Sequence, residues 1–306
     1  MDTDLIILGG GPAGLAAGMY AARARVRTIL LEKGAAGGQM NSTEVVENYP
    51  GFVDPIYGAE LSQRMESHAR KFNLQILYEE VSGVRHAGQG FSVETESGET
   101  HRCKALILAT GCQPARLGIP GEIELAGKGV SYCAVCDGPF YSDVEVAVIG
   151  GGDSAVEEAV YLTRFASKVH IVHRRDEFRA VKEIQEKAFA EPKIQMHLSE
   201  VPVQVKGTAE VQGLRLRSVK DGSESELPIA GVFFFVGLRP NTKPFKGLVK
   251  TDSAGFVLTD ENMCCSVPGV FAAGDVRAKT LRQIATAVGD GALAAYSAQH
   301  YVERDR

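Results

Sequence analysis

The feature that most constrains this chain is an internal repeat. Residues 5–33 (LIILGGGPAGLAAGMYAARARVRTILLEK) and 146–174 (VAVIGGGDSAVEEAVYLTRFASKVHIVHR) align without a gap at a shift of 141 positions. Each copy opens on a continuous apolar run, the pattern of a parallel strand covered on both faces. Each then passes G-x-G-x-x-G/A, a helical stretch and a second β-rich run, Thr28–Leu31 in one and Val169–Val172 in the other. A strand, glycine turn, helix and strand written twice predicts an α/β protein with two Rossmann-like dinucleotide-binding domains.

The spacing has a chemical reason. The first glycine (Gly9, Gly150) makes the tight turn, and the second (Gly11, Gly152) lets the backbone approach a pyrophosphate. The third position (Gly14, Ala155) lets helix and strand pack closely, with the helix N-terminus aimed at the phosphates. The end of the second strand distinguishes the nucleotides. In the first copy Glu32 stands there, a carboxylate able to accept from ribose hydroxyls. The aligned residue of the second copy is His173, followed by Arg174, Arg175 and Arg179. Guanidinium groups suit the 2′-phosphate of NADP, and the competing reading is a solvated basic stretch opening a charged helix over Arg174–Lys187.

Composition excludes several classes. At 306 residues, 44% hydrophobic and 23% charged, the chain is an ordinary globular protein with room for two domains. A net charge of −5 leaves no basic surplus for general nucleic-acid binding. No apolar run nears the roughly 18 residues a bilayer span needs. Met1-Asp2-Thr3-Asp4 leads straight into an apolar strand with no basic leader, so the expected compartment is the cytoplasm.

Among six cysteines, Cys133 and Cys136 alone have the C-x-x-C spacing, which closes a small disulfide and lowers one thiol's pKa. Zinc is the rival occupant, but a structural site wants four ligands. The remaining candidates are Cys103, Cys112, the adjacent Cys264-Cys265 and the separate His197 and His300. Those four cysteines read as ordinary buried residues, and no metal is expected. Asp137, directly after the pair, could shuttle a proton or close an Asx-turn with Gly138.

Further strands are expected at Gln75–Tyr78, Phe91–Glu96, Lys104–Gly111, Ala230–Gly237 and Pro268–Asp275, with a last helix from about Leu281 to Val302. If the first domain closes with the late strand, the second is inserted in it. The expected division is 1–113, 114–240 and 241–306, with Pro- and Gly-containing linkers near Gly111–Pro120 and Gly237–Phe245.

Together these motifs resemble the low-molecular-weight thioredoxin reductases over nearly the whole chain. The matching segments are GGGPAG (9–14), GGQ (37–39), ENYPG (47–51), ATG (109–111), CAVCDG (133–138), GGGDSAVEEA (150–159), HRRDEFRA (173–180), GVFAAGDV (269–276) and RQIATAVGDGALAA (282–295). Val135 and Ile284 depart mildly from the commonest residues there. The resemblance implies FAD on the first repeat, contacted by Gly9, Gly11, Pro12, Ala13, Gly14, Glu32, Gly38, Gln39, Asn48, Val81, Thr110 and Gly111. Gly274, Asp275, Arg282, Gln283 and Ile284 would complete that site. It implies NADPH on the second, at Gly150, Gly152, Asp153, Ser154, Ala155, His173, Arg174, Arg175, Arg179 and Gly237.

The implied chemistry carries hydride from NADPH to FAD, then electrons to the Cys133–Cys136 disulfide. Cys136 faces the flavin, Cys133 attacks the protein substrate and Asp137 supplies the proton. Two alternating domain orientations, a thioredoxin or thioredoxin-like partner and a homodimer belong to the same resemblance. Ferredoxin- or flavodoxin-type NADP reductases lack the C-x-x-C, and a dithiol oxidase would lack the arginines. The flavoprotein of alkyl hydroperoxide reduction carries an extra N-terminal module. A redox sensor without turnover would not need a complete NADP site beside a dithiol.

Overall fold

Strands with alternate side chains buried on opposite faces need a cover on each side, and the chain provides this twice. The computed structural model describes residues 3–43 and 45–304, leaving Met1 and Asp2 outside it. By contacts it divides into two compact units, 1–113 with 239–306, and 114–238.

The first unit is built on five parallel strands. Val270–Ala272, Ala105–Leu108, Leu5–Leu8, Thr28–Leu31 and Gln75–Leu77 lie in that order across the sheet. Leu5 lies opposite both Thr28 and Ala105, and Phe271 opposite Ile107. Leu5 and Ile7 enter a core with helices Pro12–Arg23 and Ile284–Glu303. Ile6 and Leu8 enter the opposite core, with Phe91 and Val93 of an antiparallel sheet formed by Val81–Ala87, Gly90–Thr95 and Thr100–Cys103.

The second unit repeats the plan. Val130–Ser131, Gly231–Phe234, Glu145–Ile149, Lys168–His173 and Ile194–Leu198 form its parallel sheet. Val146 and Val148 face a core with helices Asp153–Leu162 and Lys182–Ala190, while Ala147 and Ile149 face a second one. That second core is closed by an antiparallel sheet of Glu200–Gly207, Val211–Ser218 and Glu224–Leu227.

Three sequence expectations need correction. No element was expected over 200–227, where this sheet lies; register shifts at Pro202/Gln204 and Lys206/Gly207 break the alternation that marks a strand. The charged helix expected over Arg174–Lys187 begins only at Lys182. Before it, the amides of Arg179 and Ala180 donate to Gly151 O, at 2.7 and 3.2 Å, and Val181 N donates to Asp153 Oδ1 at 2.8 Å. Those donors are spent on the glycine turn rather than on a helical ladder. The last helix begins at Ile284, not Leu281, because a capping box between Gln283 and Thr286 sets its start.

Candidate functional site

In the first unit the glycine turn has no room for a side chain at its first and third glycines. Gly9 has φ +102°, and a Cβ there would lie 2.4 Å from Ala109 O. A Cβ on Gly14 would lie 1.8 Å from Gly9 O, whereas nothing stands within 4 Å of one on Gly11. The turn is thus closed where helix meets strand and open where a phosphate must approach. Pro12 and Ala13 begin the helix behind it, whose first amides point out of its N-terminus. Glu32 receives Gly10 N on Oε2 at 2.6 Å and Gly34 N on Oε1 at 3.0 Å. Each oxygen keeps a second acceptor position for a ribose hydroxyl.

Other predicted residues gather around this turn. Gly38 lies against Gly11, and Gln39 Nε2 donates to Cys112 O. Asn48 Nδ2 donates to Gln283 Oε1 at 3.2 Å, and Ile284 packs with Met40, Val46 and Ile56. Thr110 and Asn241 exchange hydrogen bonds of 2.7 and 2.8 Å, and Asn241 N donates to the carbonyl of Gly111 at 3.0 Å. Gly274, at φ +73°, would place a Cβ 2.8 Å from the Ala13 methyl. Among the described residues of this unit two buried polar atoms, Asp275 Oδ1 and Arg282 Nε, have no hydrogen-bond partner within the protein. Orphaned groups of opposite character fit a ligand that offers both a donor and an acceptor, as the flavin half of FAD does. Val81 opens the antiparallel sheet opposite Thr95 and packs against the core that holds Leu8 and Leu31.

In the second unit, Gly150 and Ala155 pack together as the third-position argument requires: a Cβ on Gly150 would lie 2.6 Å from that of Ala155. Gly152 caps the helix that starts with Asp153 and Ser154. Asp153 has turned its carboxylate to Val181 N, so it ties the arginine loop to the phosphate turn. Arg174, Arg175 and Arg179 are exposed there, while His173 is buried directly under Gly151. Burial, then the charges of Arg179, Arg175 and Arg174, push the His173 pKa down and keep the imidazole neutral. Gly237, at φ +124°, accepts from Ala115 N at 2.9 Å.

The same unit carries the cysteines. Cys133 and Cys136 form a disulfide, their Cα atoms 5.3 Å apart, at the start of the one-turn helix Ala134–Asp137. Cys136 N donates to Cys133 Sγ at 3.2 Å. Asp137 Oδ2 receives the Ser131 hydroxyl at 2.6 Å, and Ser131 Oγ in turn accepts from Cys133 N at 3.1 Å. Burial raises the Asp137 pKa, opposed by the Ser131 bond. Ser131 is a site residue that sequence reasoning missed, since a serine two positions before the pair carries no motif.

The remaining thiols are removed from such chemistry. Cys103 and Cys112 are buried, and burial pushes their pKa values up to about 12 and about 11. Cys264 and Cys265 are only half-buried, against the expectation of buried residues. The first of them meets Phe271 at an isolated bridge outside the regular strands. His197, separate in sequence, is brought by strand pairing to 3.0 Å from His170.

Two nucleotide-type turns, a reducible disulfide and a half-buried carboxyl beside it define a pyridine-nucleotide-linked disulfide oxidoreductase. The family of pyridine nucleotide-disulphide oxidoreductases matches residues 3–291, and the chain belongs to that family. It is 50% identical to the thioredoxin reductase of Listeria monocytogenes over 301 residues, covering 98% of this chain and 94% of the relative. Identity to the thioredoxin reductase of Bacillus subtilis is 47%, over 98% and 95% of the two chains. The crystal structure of thioredoxin reductase from Streptococcus pyogenes superposes with a TM-score of 0.94 at 46% identity, over 99% of this chain and 98% of that one. The chain is an oxidoreductase that uses FAD and NADPH.

Proposed function

We propose that the protein is an NADPH-dependent thioredoxin-disulfide reductase whose working pair is Cys133–Cys136. The observation that carries this is the disulfide, held on the nucleotide-binding unit beside a half-buried carboxyl of raised pKa. Residues 1–113 with 241–306 are assigned to FAD, with Gly9, Gly11, Gly14, Glu32, Asp275 and Arg282 as principal contacts. Residues 114–240 are assigned to NADPH, with the 2′-phosphate on Arg174, Arg175 and Arg179. Bound FAD supplies the two-electron relay between NADPH and the disulfide.

The protein's own part is proton and thiol chemistry. Two electrons cleave the Cys133–Cys136 bond, and Asp137 delivers a proton to the sulfur that leaves as thiol. Cys133, as thiolate, then attacks the disulfide of oxidised thioredoxin and displaces one of its sulfurs, giving a mixed disulfide. Cys136 then gives its proton to the thioredoxin sulfur already displaced and attacks Cys133 Sγ, which releases reduced thioredoxin with its second sulfur as thiolate and restores the starting pair. The cytoplasm is the proposed compartment and a homodimer the proposed assembly, the latter from family likeness alone. Among the described residues no helix is long and apolar enough to cross a membrane.

Cys133→Ser and Cys136→Ser test the assignment. Each variant retains FAD and its reduction by NADPH while thioredoxin reduction disappears. Sustained thioredoxin reduction by either variant overturns the choice of pair.

A further inference from the structure

Asp290 occupies the second turn of the last helix and is not among the residues expected to touch either nucleotide. Its carboxylate is 13% exposed and holds three partners of the segment that precedes the helix. Oδ2 accepts the Gly274 amide at 3.0 Å and Lys279 Nζ at 2.8 Å, and Oδ1 meets Arg277 Nη1 at 3.0 Å. Both cations are themselves nearly buried, at 13% and 10% exposure. One carboxylate therefore spans the connection from strand Val270–Ala272 to the helix at Ile284.

The tether reaches the flavin-facing groups in two ways. Gly274 immediately precedes Asp275, whose Oδ1 is one of the two orphaned atoms of this unit. Arg282, whose Nε is the other, donates from Nη1 to Lys279 O at 3.2 Å and from Nη2 to Arg277 O at 3.4 Å. Its guanidinium also lies 4.3 Å from the centroid of the Phe256 ring. The backbone that orients Arg282 thus belongs to the two residues whose side chains Asp290 holds. The neighbouring Gly291 fixes the helix itself, since a Cβ there would stand 2.1 Å from Ala13 O in the helix behind the glycine turn.

We propose that Asp290 is a positioning residue for FAD: it aligns Asp275 and Arg282 against the flavin and balances the charges of Arg277 and Lys279 beside them. The inference rests on the assignment of Asp275 and Arg282 as FAD contacts.

The test uses the purified holoenzyme with Asp290→Asn and Asp290→Ala. Free FAD fluorescence on dilution gives affinity, dye equilibration gives the flavin midpoint potential, and thermal melting is followed for holo- and apoprotein. Alanine removes both the acceptor for Gly274 and the charge, so FAD affinity falls by about tenfold or more. Asparagine keeps an acceptor, so affinity stays within about threefold of wild type. Both variants leave two cations uncompensated, so both bind reduced FAD better relative to oxidised FAD and the potential rises. A tenfold change in that ratio is about 30 mV for a two-electron couple. Adding Lys279→Gln to Asp290→Asn restores charge balance and returns the potential toward wild type.

Unchanged affinity and potential in both variants overturn the proposal, as does apoprotein melting that falls as far as that of the holoenzyme. Asp275→Asn separates the two levels. If it weakens FAD while the Asp290 variants do not, only the positioning role fails; if neither has an effect, the assignment of the contacts falls with it.

Discussion

Asp137 shows what a single environment does to a single group. Its carboxyl has a hydrogen-bond donor in Ser131 and is half-buried, and burial outweighs that bond to hold its pKa above the ordinary carboxylate value. The proton therefore stays on at pH values where an exposed aspartate has lost it, and it is lost as pH rises through the raised value. Thioredoxin reduction is expected to fall along an alkaline limb set by that group. Asp137→Asn removes this limb and slows the dithiol-forming step by about 10²–10⁴-fold, which a pH profile of kcat for both proteins checks. Ser131→Ala removes the bond that favours the ionised form and moves the limb upward in pH. The arginines make the second prediction at this scale. Losing a charge-assisted hydrogen bond costs about 1.5–3 kcal/mol, and each 1.4 kcal/mol is about tenfold. Near the lower end, as exposure dictates, Arg174→Ala with Arg175→Ala weakens NADPH use about a hundredfold, mainly through KM, and spares NADH. Equal losses with both cofactors, or a wild-type preference for NADH, show that the arginines are structural. The cysteines, Asp137 and the arginines were legible because their meaning lies in adjacent letters. Ser131, Asn241 and Asp290 were not, because each acquires its role from a partner that only the fold supplies.

At the scale of elements the repeat was readable because two constraints reinforce each other. A buried parallel strand needs an apolar run, and the turn after it has no space for a side chain where helix meets strand. Gly14 and Gly291 show how tight that packing is, each meeting a backbone oxygen where a methyl would sit. Gly291→Ala must push the last helix off Ala13 and is expected to cost about 1–3 kcal/mol, lowering the melting temperature by a few degrees with some loss of FAD. Melting at the wild-type temperature contradicts that packing account. The antiparallel sheet over 200–227 was illegible because its bulges scramble the two-residue period. The misplaced start of the helix after Arg174 has a different cause. Helical periodicity does not reveal that three successive amides, those of Arg179, Ala180 and Val181, are claimed by the glycine turn and Asp153.

For the whole molecule, the order of elements along the chain matters most. The first sheet is completed by Val270–Ala272 beside Ala105–Leu108, so the chain leaves that unit, builds the second and returns. Glycine turns alone do not specify this return; the suggestion came from the apolar strand ending in Gly274-Asp275, and its place in the sheet is a long-range pairing. Electrons from NADPH must accordingly reach a disulfide carried on the inserted unit. Anaerobic titration with NADPH, followed by flavin absorbance, tests this claim most directly. The wild-type protein should take up one more NADPH per chain than Cys136→Ser before its flavin is fully reduced. Oxidised thioredoxin should then reoxidise only the wild type at a useful rate. Equal uptake by the two proteins, or equal reoxidation by thioredoxin, would place the electron path outside Cys133–Cys136 and contradict the account.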